Sequence, residues 1–437
     1  MPVLLAICAL ILAACAPAPT ANVLGYELKK RLHVYPSPPH TGPTGTLSGQ
    51  IFNDAQSPIP GAVALIATAT GTPYTATTDA RGIYTITQIP PGQYVPAFSA
   101  PGYVETALHD SVGIPRLLTI TGATTTHAPP VRLETYTPPP LPQSLPHAVD
   151  LTLRDTYVAQ ASFPAGATAH VHTYTFTHNA VVINSLRLYL PLAATPQDAV
   201  QLPLLFMIYP TDTAAWEDVS VAYAAEGYAF VAISPAAAHG LNIDAHAQDA
   251  RVAFHLARGG HLTRAIDTAS AATIDVAIDP QRAIALGGSF SSAVLHRFLR
   301  DEAPNITAWV NVGGISNAFT GAAEFYAGEL EMPPAFEYAI PALGPANIYP
   351  LPFLRYSPVY SAGYLPPTYI VHTAADRIAT IDQAHQLEAA LRAAEIPVET
   401  LYYTDDSHYL MIGEYMTPAS RNVYYGIQDY IRAQFGE

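Results

Sequence analysis

The sequence predicts an α/β protein in two parts: a small all-β sandwich near the N-terminus, then a larger domain whose mostly parallel sheet carries helices on both faces. Three observations point there. Short alternating strands separated by Gly and Pro turns fill 46–133, strand and helix signals alternate from 147 onward, and several strands of that second region are continuous apolar runs, the kind buried on both faces. With 437 residues, 50% hydrophobic and 12% charged, the chain can bury more than one core. Its formal net charge of −15 repels phosphate backbones and argues against a nucleic-acid partner. No internal apolar run reaches the roughly 18 residues of a spanning helix, which excludes a multi-span membrane protein.

Val3 to Ala14 form an apolar run of leader length that ends in Leu12-Ala13-Ala14-Cys15. That ending resembles a bacterial lipobox, although no Lys or Arg precedes the run. The resemblance implies a lipoprotein signal peptide over 1–14, acylation of Cys15 and an extracytoplasmic protein held to the cell membrane by its lipid anchor. An ordinary hydrophobic leader is the plainer alternative. Several acyl chains together give durable anchoring. The two cysteines are Cys8 and Cys15, so the chain past the leader has no disulfide, thiol catalyst or cysteine metal site. Residues 15–45, rich in Pro, Gly and Thr, are expected to form a tether. Within it Lys29-Lys30-Arg31, which includes the chain's only lysines, reads either as a solvated charge run or as a contact for anionic headgroups.

Between 46 and 133 the turn chemistry is specific. Asp79-Ala80-Arg81-Gly82 makes a tight hairpin turn, because Asp bonds its own backbone and Gly accepts positive φ; Pro91-Gly92 and Pro101-Gly102 turn the chain again. These motifs, in this order, resemble a carboxypeptidase regulatory-like domain, best over 50–104. The resemblance implies a transthyretin-like sandwich without catalytic residues, acting as a spacer, a stabilising module or a surface for glycan or protein contact. Residues 134–146, with Pro138-Pro139-Pro140, read as a semi-rigid linker.

From 147 to 437 the elements follow one another in order. His170 to Thr177 and Asn184 to Leu190 are expected as antiparallel edge strands, Pro203 to Tyr209 as a buried strand, Trp216 to Glu226 as a helix stopped by Gly227, and Tyr228 to Ser234 as a strand. Asp244 to Ala257 has helical spacing. Next, an apolar strand runs through Ala283-Ile284-Ala285-Leu286 into Gly287-Gly288-Ser289-Phe290-Ser291, and a helix of small and apolar residues follows at once. A strand-to-helix turn this sharp needs tiny side chains two before and two after its apex, which Gly287 and Ser291 supply. Pro367 to Thr373 is a buried strand ending near Asp376, Gln383 to Ala394 a helix, and Val398 to Tyr403 a strand followed by Asp405-Asp406-Ser407-His408.

This segment resembles the nucleophile elbow of α/β-hydrolases, with Ser291 standing where Gly is usual. The order Ser289, Asp376, His408 is that of the same fold, each residue just past a strand's carboxyl end, where open α/β sheets gather their sites. Ser357-Pro358 resembles the prolyl-oligopeptidase-like branch, near the dienelactone-hydrolase-like enzymes, without the β-propeller of its best-known peptidases. The resemblance implies Ser289 as nucleophile, His408 as general base and acid, and Asp376 as the orienting carboxylate. Phe290 N–H is the expected first oxyanion donor. The second comes from the loop after Pro203 to Tyr209, either the Thr211 backbone or the Tyr209 hydroxyl, since Pro210 has no N–H.

Other residues carry competing readings. Asp405 or Asp406 could orient His408 instead; His372 reads as a core residue; His170, His172 and His178 lack the nearby carboxylate cluster of a metal site. The Pro- and aromatic-rich stretch 317–364 reads as a cap over the catalytic edge or as a packed surface excursion. The sequence thus predicts a serine hydrolase acting on a small ester, or a peptide, through an acyl-enzyme, with no cofactor and no metal. An ester is favoured because it asks for less leaving-group help. The alternative is a cell-surface binding protein whose hydrolase fold has lost activity.

Overall fold

The computed structural model describes residues 18–32, 34–35, 40–192, 200–269, 276–404, 408 and 416–437. The leader, Cys15, Asp405 and Asp406 lie outside the described residues. Packing divides the chain into two compact units, one of Met1–Thr137, Ser316–Ala362 and Arg377–Leu387, the other of Pro138–Ile315, Gly363–Asp376 and Glu388–Glu437.

The first unit is built on the sandwich. Strand Gly45–Phe52 pairs antiparallel with Ile83–Ile89 and parallel with Thr125–His127 and Val131–Arg132. A second sheet runs Pro73–Thr77, Val63–Ala67, Ala97–Ser99, Thr106–Ala107. Alternation sends Leu47, Ile51, Tyr84, Ile86, Ile66 and Phe98 into the space between them. At the hairpin turn Asp79 Oδ1 accepts from the Arg81 and Ile83 N–H groups at 2.8 and 2.9 Å, and Gly82 has φ 72°.

Two segments depart from the sequence reading. The stretch 316–362, read as part of the second domain, shares a core with the sandwich: Phe319, Ala322, Phe353 and Leu354 pack against Leu65, Ala67 and Ala97. A Cβ on Gly71 would lie 2.5 Å from the Phe319 carbonyl, so only glycine fits there. Its helix Ala318–Ala327 is capped by Asn317, whose Oδ1 accepts from Phe319 N–H. The expected tether is also corrected, because Ala18–Arg31 is an α-helix. Its prolines lie at the ends, in Pro17, Pro19 and Pro36 to Pro39, and Ala, Leu, Glu and Lys between them favour helix enough to offset Gly25 at its middle.

The second unit holds a nine-stranded sheet. Its strands are β1 (Thr152–Gln160), β2 (Thr168–His178), β3 (Val181–Pro191), β4 (Val200–Ile208), β5 (Ala229–Ile233), β6 (Val276–Gly288), β7 (Ala308–Val312), β8 (Thr368–Thr373) and β9 (Val398–Tyr403). In space they run β1-β2-β3-β5-β4-β6-β7-β8-β9. β1, β2, β3 and β5 pair antiparallel, and every pair from β5–β4 to β8–β9 is parallel. The strands expected at the edge, β2 and β3, are therefore internal, covered by β1.

Helices lie on both faces, as parallel crossovers require. On one side α1 (Glu217–Ala225) and the C-terminal helix Pro418–Phe435 contribute Tyr223, Tyr424 and Ile427 to a core with Leu205, Phe230 and Leu286. On the other, Phe206 of β4 meets Phe254 of α2 (Ile243–Arg258) and Phe298, ring centroids 5.3 and 5.2 Å away. A mostly parallel sheet so covered has the α/β-hydrolase architecture.

Candidate active site

The parallel strands β4, β6, β8 and β9 all deliver their carboxyl ends to one edge of the sheet, and the predicted site residues follow those ends. Between β6 and the helix Phe290–Glu302 the chain reverses at Ser289, which has φ 52° and ψ −129°. A non-glycine residue rarely adopts such a backbone, and it persists only where its surroundings hold it. Here they do. Ser289 N–H donates to the Val312 and Gly313 carbonyls, both at 3.2 Å. A Cβ on Gly287 would come within 2.3 Å of Leu295 Cδ1, and one on Gly288 within 2.3 Å of the Val312 carbonyl oxygen. The close approach of β6 to the β7 backbone therefore requires Gly288, whereas a side chain at Gly287 would force Leu295 to move.

Ser291 does more than stay small. Its hydroxyl donates to the Gly288 carbonyl at 2.8 Å and accepts from the Gly288 N–H at 3.0 Å, so it ties the turn on both sides. Ser292 Oγ donates to Asn311 Oδ1 on β7 at 2.5 Å. Sequence reading credited only the size of Ser291; nothing in the linear motif announces these bonds.

Ser289, His408 and Asp376 come together in one hydrogen-bonded chain. His408 Nε2 lies 2.8 Å from Ser289 Oγ, and His408 Nδ1 lies 2.8 Å from Asp376 Oδ2. The carboxylate assigns the tautomer: Nδ1–H donates to Asp376, leaving Nε2 to accept from the serine hydroxyl. The side chains of His408 and Asp376 are buried, and Gly313, with φ 55°, passes beside the pair where a Cβ would stand 3.7 Å from both Asp376 Oδ2 and His408 Nδ1.

His372, read from sequence as a core residue, is buried on β8 and also reaches the site. Its Nε2 lies 3.3 Å from Asp376 Oδ2, the same oxygen that His408 engages. The i, i+4 spacing across the end of a strand is no recognisable signal, so this contact is visible only in three dimensions.

The oxyanion candidates separate. Phe290 supplies the first amide of its helix, at the positive end of the helix dipole. In the β4–β6 register Met207 pairs with Leu286, so Thr211 and Phe290 stand the same four residues beyond paired positions on adjacent parallel strands. Thr211 is fixed through Oγ1, which accepts from Trp216 Nε1 at 2.9 Å, and through its carbonyl, which accepts from Ser234 Oγ at 2.7 Å. Its N–H makes no hydrogen bond among the described residues. The Tyr209 hydroxyl is a correction. Tyr209 shares the strand face of Leu205 and Met207, so its ring is wholly buried, stacks on Trp216 and hydrogen-bonds Ser220, and burial raises its pKa well above the usual range. That hydroxyl belongs to the core under α1.

The histidines considered for metal have separate surroundings. His172 Nδ1 bonds Thr156 Oγ1 at 3.0 Å, and burial, helped by neighbouring His170, lowers its pKa to about 4. His178 instead bonds Asp249 Oδ1 at 2.7 Å, while His239 takes Oδ2 at 2.8 Å. Among the described residues no three His, Cys, Asp or Glu side chains are grouped to hold a metal ion. Ser357 of the Ser-Pro pair donates to the Phe353 carbonyl at 2.7 Å and accepts from Ala318 N–H, a structural use in the first unit.

Comparison with solved structures finds matches of low identity. The chain is similar to esterase 2 of Thermogutta terrifontis phosphonylated by sarin, at 15% identity over 59% of this chain and 92% of that one, TM-score 0.44. The butyrate-bound esterase of the same species gives 16% identity over 59% and 91%, TM-score 0.42. A Bacteroides ovatus protein assigned as a dipeptidyl aminopeptidase IV gives 12% identity over 82% of this chain and 43% of that one, TM-score 0.43. No curated protein matches the sequence. Residues 46–127 match the carboxypeptidase regulatory-like domain family, and the chain carries that domain near its N-terminus.

Proposed function

We propose that this protein is an exported, lipid-anchored serine hydrolase that cleaves an ester bond, or secondarily a peptide bond, through an acyl-enzyme. The observation that carries the reading is the Ser289–His408–Asp376 chain of two 2.8 Å hydrogen bonds, mounted on a strained strand-to-helix turn. A serine hydroxyl is a poor nucleophile at neutral pH, so a base must take its proton as it attacks. Ser289 Oγ bonds the carbonyl carbon while its proton passes to His408 Nε2, and the C=O pair moves onto oxygen. Asp376 stabilises the resulting imidazolium by Coulomb attraction in a partly dry site. Phe290 N–H and Thr211 N–H are the donors proposed for the oxyanion; one such donor is worth about 2.7–4 kcal/mol in the transition state. Collapse expels the alcohol or amine, which takes the proton from Nε2, and water repeats the sequence to release the acid.

An alkoxide leaves with less protonic help than an amine, which favours the ester. Cys15 is proposed as the acylated residue on the strength of Leu12-Ala13-Ala14-Cys15 at the end of an apolar run, which supports export to the extracytoplasmic face. A fluorophosphonate probe tests the nucleophile: the native chain takes label, and Ser289→Ala does not. Absence of label on the folded native chain would instead favour a binding protein. p-Nitrophenyl esters of rising chain length, set beside aminoacyl and prolyl anilides, discriminate ester from peptide.

A further inference from the structure

The helix Ala18–Arg31 has one face docked and the other more exposed. Inward, Asn22 Nδ2 donates to the Ala342 carbonyl at 3.2 Å, Tyr26 packs against Tyr35, Phe325 and Tyr326, and Lys30 pairs with Glu337 at 3.0 Å. The helix's one acid, Glu27, lies on this flank near Tyr338. Outward, at about 100° per residue, Thr20, Leu24, Leu28, Arg31 and Leu32 fall within a single arc. Leu24, Leu28 and Leu32 are 41, 37 and 65% exposed, an apolar stripe left partly open among the described residues.

Two facts say what covers it. Cys15 lies three residues before Ala18, and an extended chain spans at most about 3.6 Å per residue, so the start of the helix stays within roughly 11 Å of that residue. If Cys15 bears acyl chains, a helix about 21 Å long begins at the membrane surface. Basic residues flank the stripe near its C-terminal end, Arg31 within the arc and Lys29 beside it, while Lys30 is held inward by Glu337, in a chain whose net charge is −15 and whose only lysines are these two. Basic residues beside leucines at a bilayer surface are the chemistry of an interfacial helix facing anionic lipid.

We propose that Leu24, Leu28 and Leu32 insert into the interfacial layer of an anionic bilayer, with Lys29 and Arg31 at the headgroups, making this helix a second membrane contact beside the anchor. The proposal rests on the lipid-anchor reading of Cys15. Through Asn22, Tyr26 and Lys30 the helix then holds its own unit close to the membrane rather than at the end of a flexible leash.

The test uses the purified full-length lipoprotein in vesicles of phosphatidylethanolamine and phosphatidylglycerol. Apart from Cys15 the chain beyond the leader has no thiol, so Leu28→Cys or Leu24→Cys, carrying a nitroxide, is a single reporter. The labels are expected to collide more with oxygen than with a water-soluble nickel complex, reversing the preference of a control at Thr87→Cys on the sandwich surface. Vesicles of phosphatidylcholine alone, or Lys29→Gln with Arg31→Gln, should shift them toward water. Mass spectrometry of the Cys15 peptide separates the two readings. An acylated Cys15 with a label at 28 as aqueous as that at 87 overturns the helix contact and leaves the anchor standing; an unmodified Cys15 removes both.

Discussion

Ser289 occupies a backbone region that costs about 1–3 kcal/mol, and the glycines of the turn, a serine staple and the carbonyls of Val312 and Gly313 hold it there. Such strain fixes Oγ beside His408 without waiting for substrate. Ser289→Ala is expected to lower kcat by roughly 10⁶-fold, leaving the residual rate that the proposed oxyanion donors would provide. Asp376→Asn should cost roughly 10⁴-fold through loss of the productive imidazole tautomer, and near-native activity in that variant would transfer the orienting role to Asp405 or Asp406. His372 adds a second imidazole to the same carboxylate oxygen. Because a polar contact to a charged group contributes about 1.5–3 kcal/mol, His372→Phe should reduce kcat by roughly 10- to 100-fold with KM unchanged, and steady-state kinetics on one ester would detect it. A rise in KM at constant kcat would assign His372 to binding instead. Ser289, Asp376 and His408 were legible because a strained turn and strand ends have sequence signatures. His372 was not, since a histidine in an apolar strand is indistinguishable from core until its neighbour is known.

Among elements, the β1–β2 pair shows how a buried polar residue sets pH behaviour. His172 faces Thr156 across the strands and is held neutral by burial, its pKa lowered to about 4. In the unfolded chain the same imidazole titrates near 6.5, so between that value and about 4 the unfolded state binds the extra proton and stability falls as pH drops. His172→Phe should flatten this part of the stability profile, as urea unfolding midpoints at pH 7 and pH 4.5 would reveal. A native-like slope in the variant would point to other groups. The alternation of β4 similarly decided Tyr209: parity with Leu205 and Met207 turned its hydroxyl to the core, where a loop reading had left it as an oxyanion donor. Parity was available in the sequence, but the last residue of a strand can belong to either strand or loop, and the choice needs the register.

For the whole molecule, the sandwich is a structural partner of a distant segment. Phe319, Phe353 and Leu354 complete a core with Leu65, Ala67 and Ala97, although more than two hundred residues separate them along the chain. Burying such side chains contributes about 1.5–3 kcal/mol each, so a protein cut to 147–437 should expose them, bind a hydrophobic dye and associate on gel filtration. A monodisperse, active 147–437 fragment would sink this account. The linear reading placed a boundary at the Pro-rich 134–146 and was blind to the exchange, because hydrophobic patterning marks a face as buried without naming what buries it.

What the sequence by itself determined is local in origin. Strand alternation, Gly and Pro turns and apolar strand runs dictated a β-sandwich followed by a parallel sheet with helices on both faces, and the Gly287-Gly288-Ser289 turn marked the elbow. Only the tertiary structure decided which side chains meet: the 2.8 Å contacts of His408, the approach of His372 to Asp376, the ties made by Ser291, and the sharing of 316–362 with the sandwich. The physical reason is that backbone geometry repeats within a few residues and writes its period into the chain. A contact between strand ends depends on register and on the side each crossover takes, and no periodicity along the chain encodes either.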